Sequence, residues 1–222
     1  MELKKVILYG NGSVAQATYI FFLHDSLYEI ASFTVDREFI KEDNLFELPV
    51  IPFDQIELSY PPDEFDMHIA VGHVRVNRIR AQKYLQAKEM GYQLINYISS
   101  KSLTWPGVII GDNCKIGPNS TVNPFAELGN DVRIGTGCNV GHHTKIGDHC
   151  SLASHVAIAG NVTIEPYCLV GTNATIRDRV KIARECVIGA GAVILQDTKP
   201  KEVYLGKPGE LLPIFSDHLP LG

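Results

Sequence analysis

The chain has 222 residues, 45% of them hydrophobic and 20% charged, which is enough for one large domain or two small ones. Its formal net charge of −5 argues against a nucleic-acid partner, because a phosphate backbone attracts basic surfaces. No apolar run approaches the ~20 residues that span a bilayer. The apolar stretch near the start ends at Tyr9, too early for a signal peptide. We therefore expect a cytoplasmic protein that does not insert into membranes.

The chain opens with a βαβ pattern. Residues 4–9 form a short apolar strand, helix-compatible sequence runs from about residue 14 to residue 24, and a strand at 29–35 ends at Asp36. The first strand leads into a turn with G-x-G-x-x-A spacing, close to the dinucleotide fingerprint: Gly10-Asn11-Gly12-Ser13-Val14-Ala15. Backbone N–H groups at such a helix start favour a diphosphate. The carboxylate of Asp36 could accept hydrogen bonds from ribose hydroxyls or a base edge.

Two interpretations of this turn remain open. It is either a plain tight turn or a ligand site. A nucleotide without a redox ring fits better than NAD, because the α/β region has only about 100 residues and no second half for nicotinamide.

A further strand and helix complete the α/β region. After a polar connection at 39–65, with a short apolar piece at 48–53, a buried strand at 66–71 ends at Gly72-His73. A helix at about 77–90 stops at Gly91, and a last strand covers 92–98. We predict a small parallel α/β domain over residues 1–98, with its ligand site along the edge where the strands end. The predicted substrate-binding residues are Gly10, Asn11, Gly12, Ser13, Asp36, Gly72 and His73.

From residue 110 onward an aliphatic residue stands at every sixth position, without an insertion. The fifteen positions are Ile110, Ile116, Val122, Leu128, Ile134, Val140, Ile146, Leu152, Ile158, Ile164, Val170, Ile176, Ile182, Ile188 and Ile194. A helical period cannot keep such residues on one side, whereas short strands joined by tight corners can. Hexapeptide periods are typical of parallel β-helices, in which three units make one triangular coil. We expect about five coils, stacked to a height of roughly 24 Å.

Two other positions of the six-residue unit repeat. Glycine often follows the aliphatic residue, as at Gly111 and Gly141, where we expect a turn that needs backbone freedom. Small or slim residues stand four positions after the aliphatic residue and include all five cysteines: Cys114, Cys138, Cys150, Cys168 and Cys186. The cysteine spacings are multiples of six, unlike those of metal sites, so we interpret the thiols as core packing.

The order of these features resembles one bacterial family. A small βαβ domain with a glycine turn, a Val-Gly-x…Asn-x-x-Arg segment at Val71-Gly72-His73, Asn77 and Arg80, and a hexapeptide solenoid are similar to the sialic-acid O-acetyltransferases and UDP-4-amino-sugar N-acetyltransferases. The resemblance covers essentially the whole chain. It implies a left-handed β-helix with a C-terminal tail over residues 99–222, a nucleotide-linked sugar in the first domain, and acetyl-CoA along the solenoid.

The resemblance also implies a catalytic histidine. The family motif matches the segment Val140-Gly141-His142-His143-Thr144-Lys145-Ile146-Gly147-Asp148 and places the catalytic residue at His142. Imidazole suits a general base near neutral pH. Direct attack on the thioester, with a backbone N–H stabilising the oxyanion, needs no covalent enzyme intermediate.

This sequence departs from the family pattern at two positions. His143 replaces the acid that usually orients the base, and Val14 replaces a histidine of the N-terminal turn. His143 is therefore a second catalytic candidate, as the base itself or as the group that fixes the tautomer of His142. A carboxylate from a neighbouring chain is the alternative for that second task.

The resemblance further places the acyl donor. It puts the backbone N–H of Gly160 beside the thioester carbonyl and the adenine end towards Ala174, Ala190 and Gly191. Lys207, in a Gly/Pro-rich terminal segment, could contact the CoA phosphates. A plain corner glycine and a plain terminal turn are the alternatives for Gly160 and Lys207.

The remaining solenoid histidines bear on metal binding. By the six-residue register His149 and His155 project outward, where we expect them to be solvated or to line a groove. Zinc-dependent carbonic anhydrases share this type of solenoid, and a resemblance to them calls for a His-x-x-x-x-His pair with a third histidine about two coils earlier. The histidines here lack that spacing, so we predict no metal.

The resemblance as a whole implies an acetyl-CoA-dependent acetyltransferase. Its acceptor would be an amino or hydroxyl group of a nucleotide-linked sugar used for surface glycans such as lipopolysaccharide or capsule. The family forms homotrimers with the active site between neighbouring columns, and we expect the same here. A non-catalytic trimeric nucleotide-binding module and a metal-dependent carbonic-anhydrase-like enzyme are the alternatives.

Overall fold

The computed structural model describes residues 4–210, so most of the predicted C-terminal tail, from residue 211 onward, lies outside the described residues. The first part of the chain forms a five-stranded sheet of order β3-β4-β2-β1-β5. Its strands are β1 Lys4–Tyr9, β2 Tyr28–Val35, β3 Asn44–Leu45, β4 Leu48–Pro52 and β5 Asp66–Ile69. The sheet is parallel apart from the β3–β4 hairpin, so the predicted parallel α/β fold is confirmed with one antiparallel edge.

Three α-helices accompany this sheet within the described residues. They are α1 Ser13–His24, α2 Ile56–Ser59 and α3 Arg78–Glu89, and short 3-10 helices span Arg37–Phe39 and Phe53–Gln55. Alternate residues of β1 belong to different hydrophobic clusters. Val6 and Leu8 pack in one cluster, and Ile7 and Tyr9 pack in the other. Both faces of the sheet are therefore covered, as expected for a parallel α/β sheet. Within residues 4–210 we find no helix that could cross a lipid bilayer.

The rest of the chain winds into three parallel sheets, which form the faces of a prism. The docking face consists of β6 Tyr97–Ile98, β9 Lys115–Ile116, β12 Arg133–Ile134, β15 Ser151–Leu152, β18 Leu169–Val170, β21 Val187–Ile188 and β23 Val203–Tyr204. The neutral face consists of β7 Leu103–Thr104, β10 Thr121–Val122, β13 Asn139–Val140, β16 Ala157–Ile158, β19 Thr175–Ile176 and β22 Val193–Ile194. The charged face consists of β8 Ile109–Ile110, β11 Glu127–Leu128, β14 Lys145–Ile146, β17 Thr163–Ile164 and β20 Lys181–Ile182.

Strand pairing confirms the predicted coil of eighteen residues. Thr121 pairs with Asn139, which pairs with Ala157, and the other two faces repeat the same step. The second residue of each strand points inward: the aliphatic positions from Ile116 to Ile194 are buried, and Ile110 in the first coil is half-buried. All five cysteines are buried with free thiols, as predicted.

The predicted last strand of the α/β region, at residues 92–98, is only partly correct. Leu94 forms an isolated bridge to Met67 of β5, with backbone hydrogen bonds from the flanking residues. Tyr97–Ile98 instead pairs with β9 and starts the docking face. The chain therefore leaves the first sheet between Leu94 and Tyr97 and pairs with the strands of the solenoid from β6 onward.

The solenoid glycines are needed for a different reason from the one predicted. Those that follow the aliphatic residue, such as Gly135, do not have a positive φ. A methyl group added to Gly135 would lie 2.7 Å from the carbonyl carbon of Ala153 in the next coil, so close stacking excludes a side chain. The positive φ falls two residues later, at corner residues such as Asn119 and His143. The N–H of His143 donates to the carbonyl of Pro124 at 3.1 Å, which ties its corner to the preceding coil.

A buried polar cluster holds the first domain on the docking face. Arg80 of α3 is fully buried, and its Nε lies 2.9 Å from both carboxylate oxygens of Asp131. Its Nη1 donates to Ser151 Oγ at 2.8 Å. Asn77 donates to the carbonyl of Cys168 at 3.0 Å. Burial alone would raise the pKa of Asp131, but Arg80 keeps that pKa below its usual value.

His149 belongs to this junction, and the prediction that it is solvated or lines a groove is wrong, because the side chain is buried. Its Nδ1 lies 2.9 Å from Asp131 Oδ2. Its ring lies between those of Tyr84, at 5.3 Å, and Tyr167, at 4.9 Å. Helix α3 covers this corner, a contact that the solenoid register cannot show. His155 is exposed, as predicted.

Candidate active site

His142 and His143 lie on the prism edge between the neutral and charged faces. They form the corner that follows β13 and precedes β14, and both side chains are exposed. Their Nδ1 atoms are 3.1 Å apart, so one nitrogen donates and the other accepts. If His142 Nδ1 donates to His143, Nε2 of His142 is left as a free acceptor, the form that a general base requires.

Gly160, one coil later, lies directly against the ring of His142. A methyl group added to Gly160 would be 2.6 Å from both Nε2 and Cε1 of His142, so a larger residue would displace the imidazole. The neighbouring amides of Ala159 and Asn161 donate to carbonyls of Ile176 and His142. The N–H of Gly160 makes no hydrogen bond within residues 4–210. The structure therefore brings together an exposed imidazole and a free backbone donor, the two groups that acyl transfer needs.

Phe125 is part of this corner and was not predicted. Its ring centroid lies 4.9 Å from that of His143, and the side chain is 57% exposed although most large apolar side chains of the solenoid are buried. The contact restricts the orientations that the His143 ring can adopt. The signal in the sequence is its spacing, since Phe125 precedes His143 by one eighteen-residue coil.

The residues predicted to hold the rest of the acyl donor are scattered in a single chain. Ala174 is fully buried in the solenoid core, so its predicted contact with the donor is wrong. The cause is its inward register, four positions after an aliphatic residue. Ala190 and Gly191 are exposed, but they lie on the edge between the docking and neutral faces, away from the His142 edge. Lys207 is exposed beyond β23.

The predicted substrate residues of the glycine turn do meet at one sheet edge. The amide of Gly10 donates to the carbonyl of Thr34 at 2.7 Å, and a methyl group on Gly10 would approach the carbonyl oxygen of Ala70 to 3.0 Å. Gly12 caps α1 without a side-chain hydrogen bond, and the side chain of Asn11 donates to the carbonyl of Phe39. Ser13, the first residue of α1, is exposed.

Asp36 lies at the same edge but is already paired. Its Oδ1 is 2.7 Å from the ammonium of Lys83 on α3. The carboxylate also raises the pKa of Tyr9, after the larger effect of burial. A ribose bound here would share Asp36 with Lys83.

A half-open cavity of about 180 Å³ lies between the first domain and the docking face. Gly72 and His73 line it from the first domain, and Lys115 and Arg133 line it from the solenoid. The cavity is on the docking face, and the neutral face separates it from the edge with His142. One chain alone therefore does not bring the two places together. Lys115 and Arg133 were not predicted; their signal is a pair of cations at outward positions one coil apart.

The described residues also bear on the metal-dependent alternative. Within residues 4–210 no three His, Cys, Asp or Glu side chains form a group that could hold a metal ion.

Sequence comparison identifies the repeat. The family model described as "Bacterial transferase hexapeptide (six repeats)" matches residues 125–160 and 161–196, and "Hexapeptide repeat of succinyl-transferase" matches 107–142. Among solved structures, the acetyltransferase domain of PglB from Neisseria gonorrhoeae FA1090 is 27% identical, with a TM-score of 0.82, over 94% of this chain and 100% of that one. The chain therefore contains hexapeptide repeats of the bacterial transferase type, and it is an acyltransferase.

The acyltransferase is also similar to structures determined with ligands. The same gonococcal domain in complex with acetyl coenzyme A is 25% identical, with a TM-score of 0.80, over 95% of this chain and 100% of that one. PerB from Caulobacter crescentus, in complex with CoA and GDP-perosamine, is 22% identical, with a TM-score of 0.82, over 92% of this chain and 95% of that one; at this identity it confirms the fold alone. A search of the curated proteins found no match.

Proposed function

We propose that this acyltransferase transfers an acetyl group from acetyl-CoA to an amino or hydroxyl group of a nucleotide-linked sugar. The observation that carries the proposal is the His142 ring, paired with His143 and lying against Gly160 and its free N–H. The ligands named for the similar structures support the substrate classes: acetyl coenzyme A for the gonococcal domain, CoA and GDP-perosamine for PerB. The predicted role in surface-glycan synthesis, in the cytoplasm where acetyl-CoA is made, is part of the proposal.

The proposed reaction is a direct acyl transfer. The acceptor nitrogen or oxygen attacks the thioester carbonyl carbon while Nε2 of His142 removes its proton. The N–H of Gly160 donates to the carbonyl oxygen as negative charge develops there. The carbon–sulfur bond then breaks, and the proton held by His142 passes to the leaving thiolate. His143 keeps the Nδ1 proton of His142 in place throughout.

We place the complete site between subunits. The cavity of the first domain and the edge with His142 are separated by the neutral face of the same chain, so a sugar held in the cavity would meet the imidazole of a neighbour. The outward residues of the neutral face carry no charge and suit a packed interface: Leu103, Thr121, Asn139, Ala157, Thr175 and Val193. A homotrimer places an equivalent site at each of three interfaces. The division into domains at residue 98 stays a prediction.

The test is a screen for thiol release from acetyl-CoA with nucleotide-linked 4-amino sugars. We expect release with at least one of them, and replacement His142→Ala should lower kcat at least roughly a hundredfold, the lower range for a lost general base. His155→Ala is the matched control, because His155 is exposed at another corner. Near-normal turnover by His142→Ala would remove this residue from the mechanism, and no binding of acetyl-CoA in calorimetry would contradict the function.

A further inference from the structure

The solenoid side of the cavity between the two domains carries two neighbouring positive charges. Lys115 and Arg133 are direct neighbours on adjacent strands of the docking face, and both line the cavity. None of its lining residues is acidic. Like charges directly opposite each other on adjacent strands are destabilising. A cation pair kept in this position is therefore costly in the free protein.

The contacts of the two side chains do not neutralise them. The ammonium of Lys115 donates to the hydroxyl of Thr18 at 3.3 Å and lies 4.5 Å from the centre of the Phe21 ring. Nη2 of Arg133 donates to the carbonyl of Ile69 at 3.1 Å. Within residues 4–210 neither side chain forms an ion pair with a carboxylate. Both retain donors that a bound anion could use.

The electrostatics of the free protein reflect an excess of positive charge, which the buried Asp131 carboxylate near Arg133 offsets only in part. Burial, followed by the charge of Arg133, lowers the pKa of Lys115 to about 7. Burial, followed by the charge of Arg80, lowers the pKa of Arg133 to about 9. His68, from the adjacent strand β5, is fully buried and its pKa is lowered to about 3, so this group stays neutral and adds no further positive charge. An anion in the cavity would reverse these shifts.

The side of the cavity formed by the first domain carries partial positive charge as well. Helix α1 begins there without a side-chain cap and without an acidic residue in its first turn. Its first backbone N–H groups have no partner within the helix, and the helix dipole favours negative charge at this end. Val14 of that turn lines the cavity but offers no polar side chain.

We propose that this cavity binds the diphosphate of the nucleotide-linked substrate, with Lys115 and Arg133 of the solenoid as its anion-binding side chains. A diphosphate carries two negative charges and matches two cations, whereas a single carboxylate would leave one unpaired. The inference rests on the proposed function for the identity of the ligand. It adds a role for the solenoid in holding the acceptor, which the glycine turn alone would otherwise perform.

The test is calorimetry of the full-length protein with inorganic pyrophosphate, UDP and GDP, and with uridine and guanosine as the uncharged probes. We expect pyrophosphate and at least one nucleoside diphosphate to bind, and the corresponding nucleoside to bind at least tenfold more weakly. Lys115→Met and Arg133→Met should each weaken pyrophosphate binding at least tenfold, and Lys115→Arg should retain it. Lys145→Met, an exposed solenoid lysine paired with Glu127, should change nothing. Normal binding by both methionine variants, or equal weakening by Lys145→Met, would overturn the proposal.

A pH series gives a second measurement that a merely structural role would not affect. A nucleoside diphosphate sugar has a fixed charge between pH 6 and pH 9, whereas Lys115 loses its proton as the pH rises through about 7. Binding of UDP-glucose or GDP-mannose should therefore weaken as the pH rises above 7, and Lys115→Arg should remove that dependence. His73→Gln controls for the histidine that also lines the cavity, and measurements below pH 8 keep Arg133, whose pKa is about 9, protonated. Identical pH profiles for the wild type and Lys115→Arg would contradict the assignment.

The two proposals can fail separately. Diphosphate binding that depends on Lys115 and Arg133, without thiol release for any acceptor, would support the anion site and contradict the proposed function. Thiol release with an acceptor that lacks a diphosphate, unaffected by Lys115→Met and Arg133→Met, would support the function and contradict the anion site.

Discussion

In the proposed mechanism, the corner formed by His142 and His143 gives one residue the proton-accepting task and its neighbour an orienting task. The 3.1 Å contact joins two Nδ1 atoms, and where His142 is the donor in it, Nε2 of His142 is free to accept a proton. A carboxylate could serve the same purpose, because it accepts a hydrogen bond without needing a tautomer of its own. The neutral His143 ring does so only while its own Nδ1 is unprotonated.

This arrangement makes a prediction for His143. Replacement by Ala should lower kcat roughly five- to tenfold, as expected from losing one hydrogen bond of about 1–1.5 kcal/mol, and leave the KM for acetyl-CoA unchanged. His143→Asp should restore most of the rate. Steady-state kinetics of both variants make the measurement. If His143→Ala abolishes turnover while His142→Ala retains it, the two roles are reversed.

At the scale of single residues, motifs and repeats along the sequence were predictive, whereas contacts between distant parts of the chain were not. His142 could be selected because its segment matches the family motif, and Gly160 because the resemblance points to the glycine one coil later. The burial of His149 could not be predicted, since helix α3 covers it from more than fifty positions earlier in the chain. The inward position of Ala174 followed from the six-residue register and should have excluded it from the donor site.

At the scale of elements, helix α3 positions the first domain through one guanidinium. Arg80 donates to the Asp131 carboxylate, the carbonyl of Asp131 and the hydroxyl of Ser151, all of them buried. Because a guanidinium presents its donors in a fixed fork, these contacts also fix the angle of the helix. The edge of the first sheet and the cavity beside it depend on this orientation.

Replacement Arg80→Met should therefore destabilise the protein. Removing one partner of a buried ion pair typically costs about 3–5 kcal/mol, because it leaves the other charge uncompensated. Within the described residues, the Asp131 carboxylate would keep its hydrogen bonds to His149 and Asn113 and the charge of Arg133. Denaturant unfolding measures the loss. Arg78→Met, on the same helix but in a more exposed pair with Glu185, should cost less than about 1 kcal/mol. Equal losses for the two variants would show that the buried cluster does not hold the junction.

The elements show why a repeat is easy to predict and a junction is not. Every coil repeats the same inward positions, so the sequence determines the solenoid strands and their register many times over. Residues 92–98 carry no repeat, and their division between the first sheet and the docking face depends on partners from both domains. The segment from Asn77 to Arg80 could be recognised as a motif, but its role as the anchor to the solenoid required the contacts.

At the scale of the molecule, the separation of the cavity from the His142 edge predicts association. Light scattering should give a mass three times the 24.5 kDa of one chain. Replacement Ala157→Arg on the neutral face should lower that mass and the activity together, because it places a charge at the proposed interface. Lys145→Glu on the charged face is the control. A monomer with full activity would contradict a site shared between chains.

The most direct test of the central claim is a crystal structure with CoA bound. The account predicts that the CoA sulfur lies within about 4 Å of Nε2 of His142, beside the N–H of Gly160, close enough for proton transfer in acyl exchange. A CoA sulfur at a corner without His142, or a His142 ring turned away from the pantetheine arm, would contradict it.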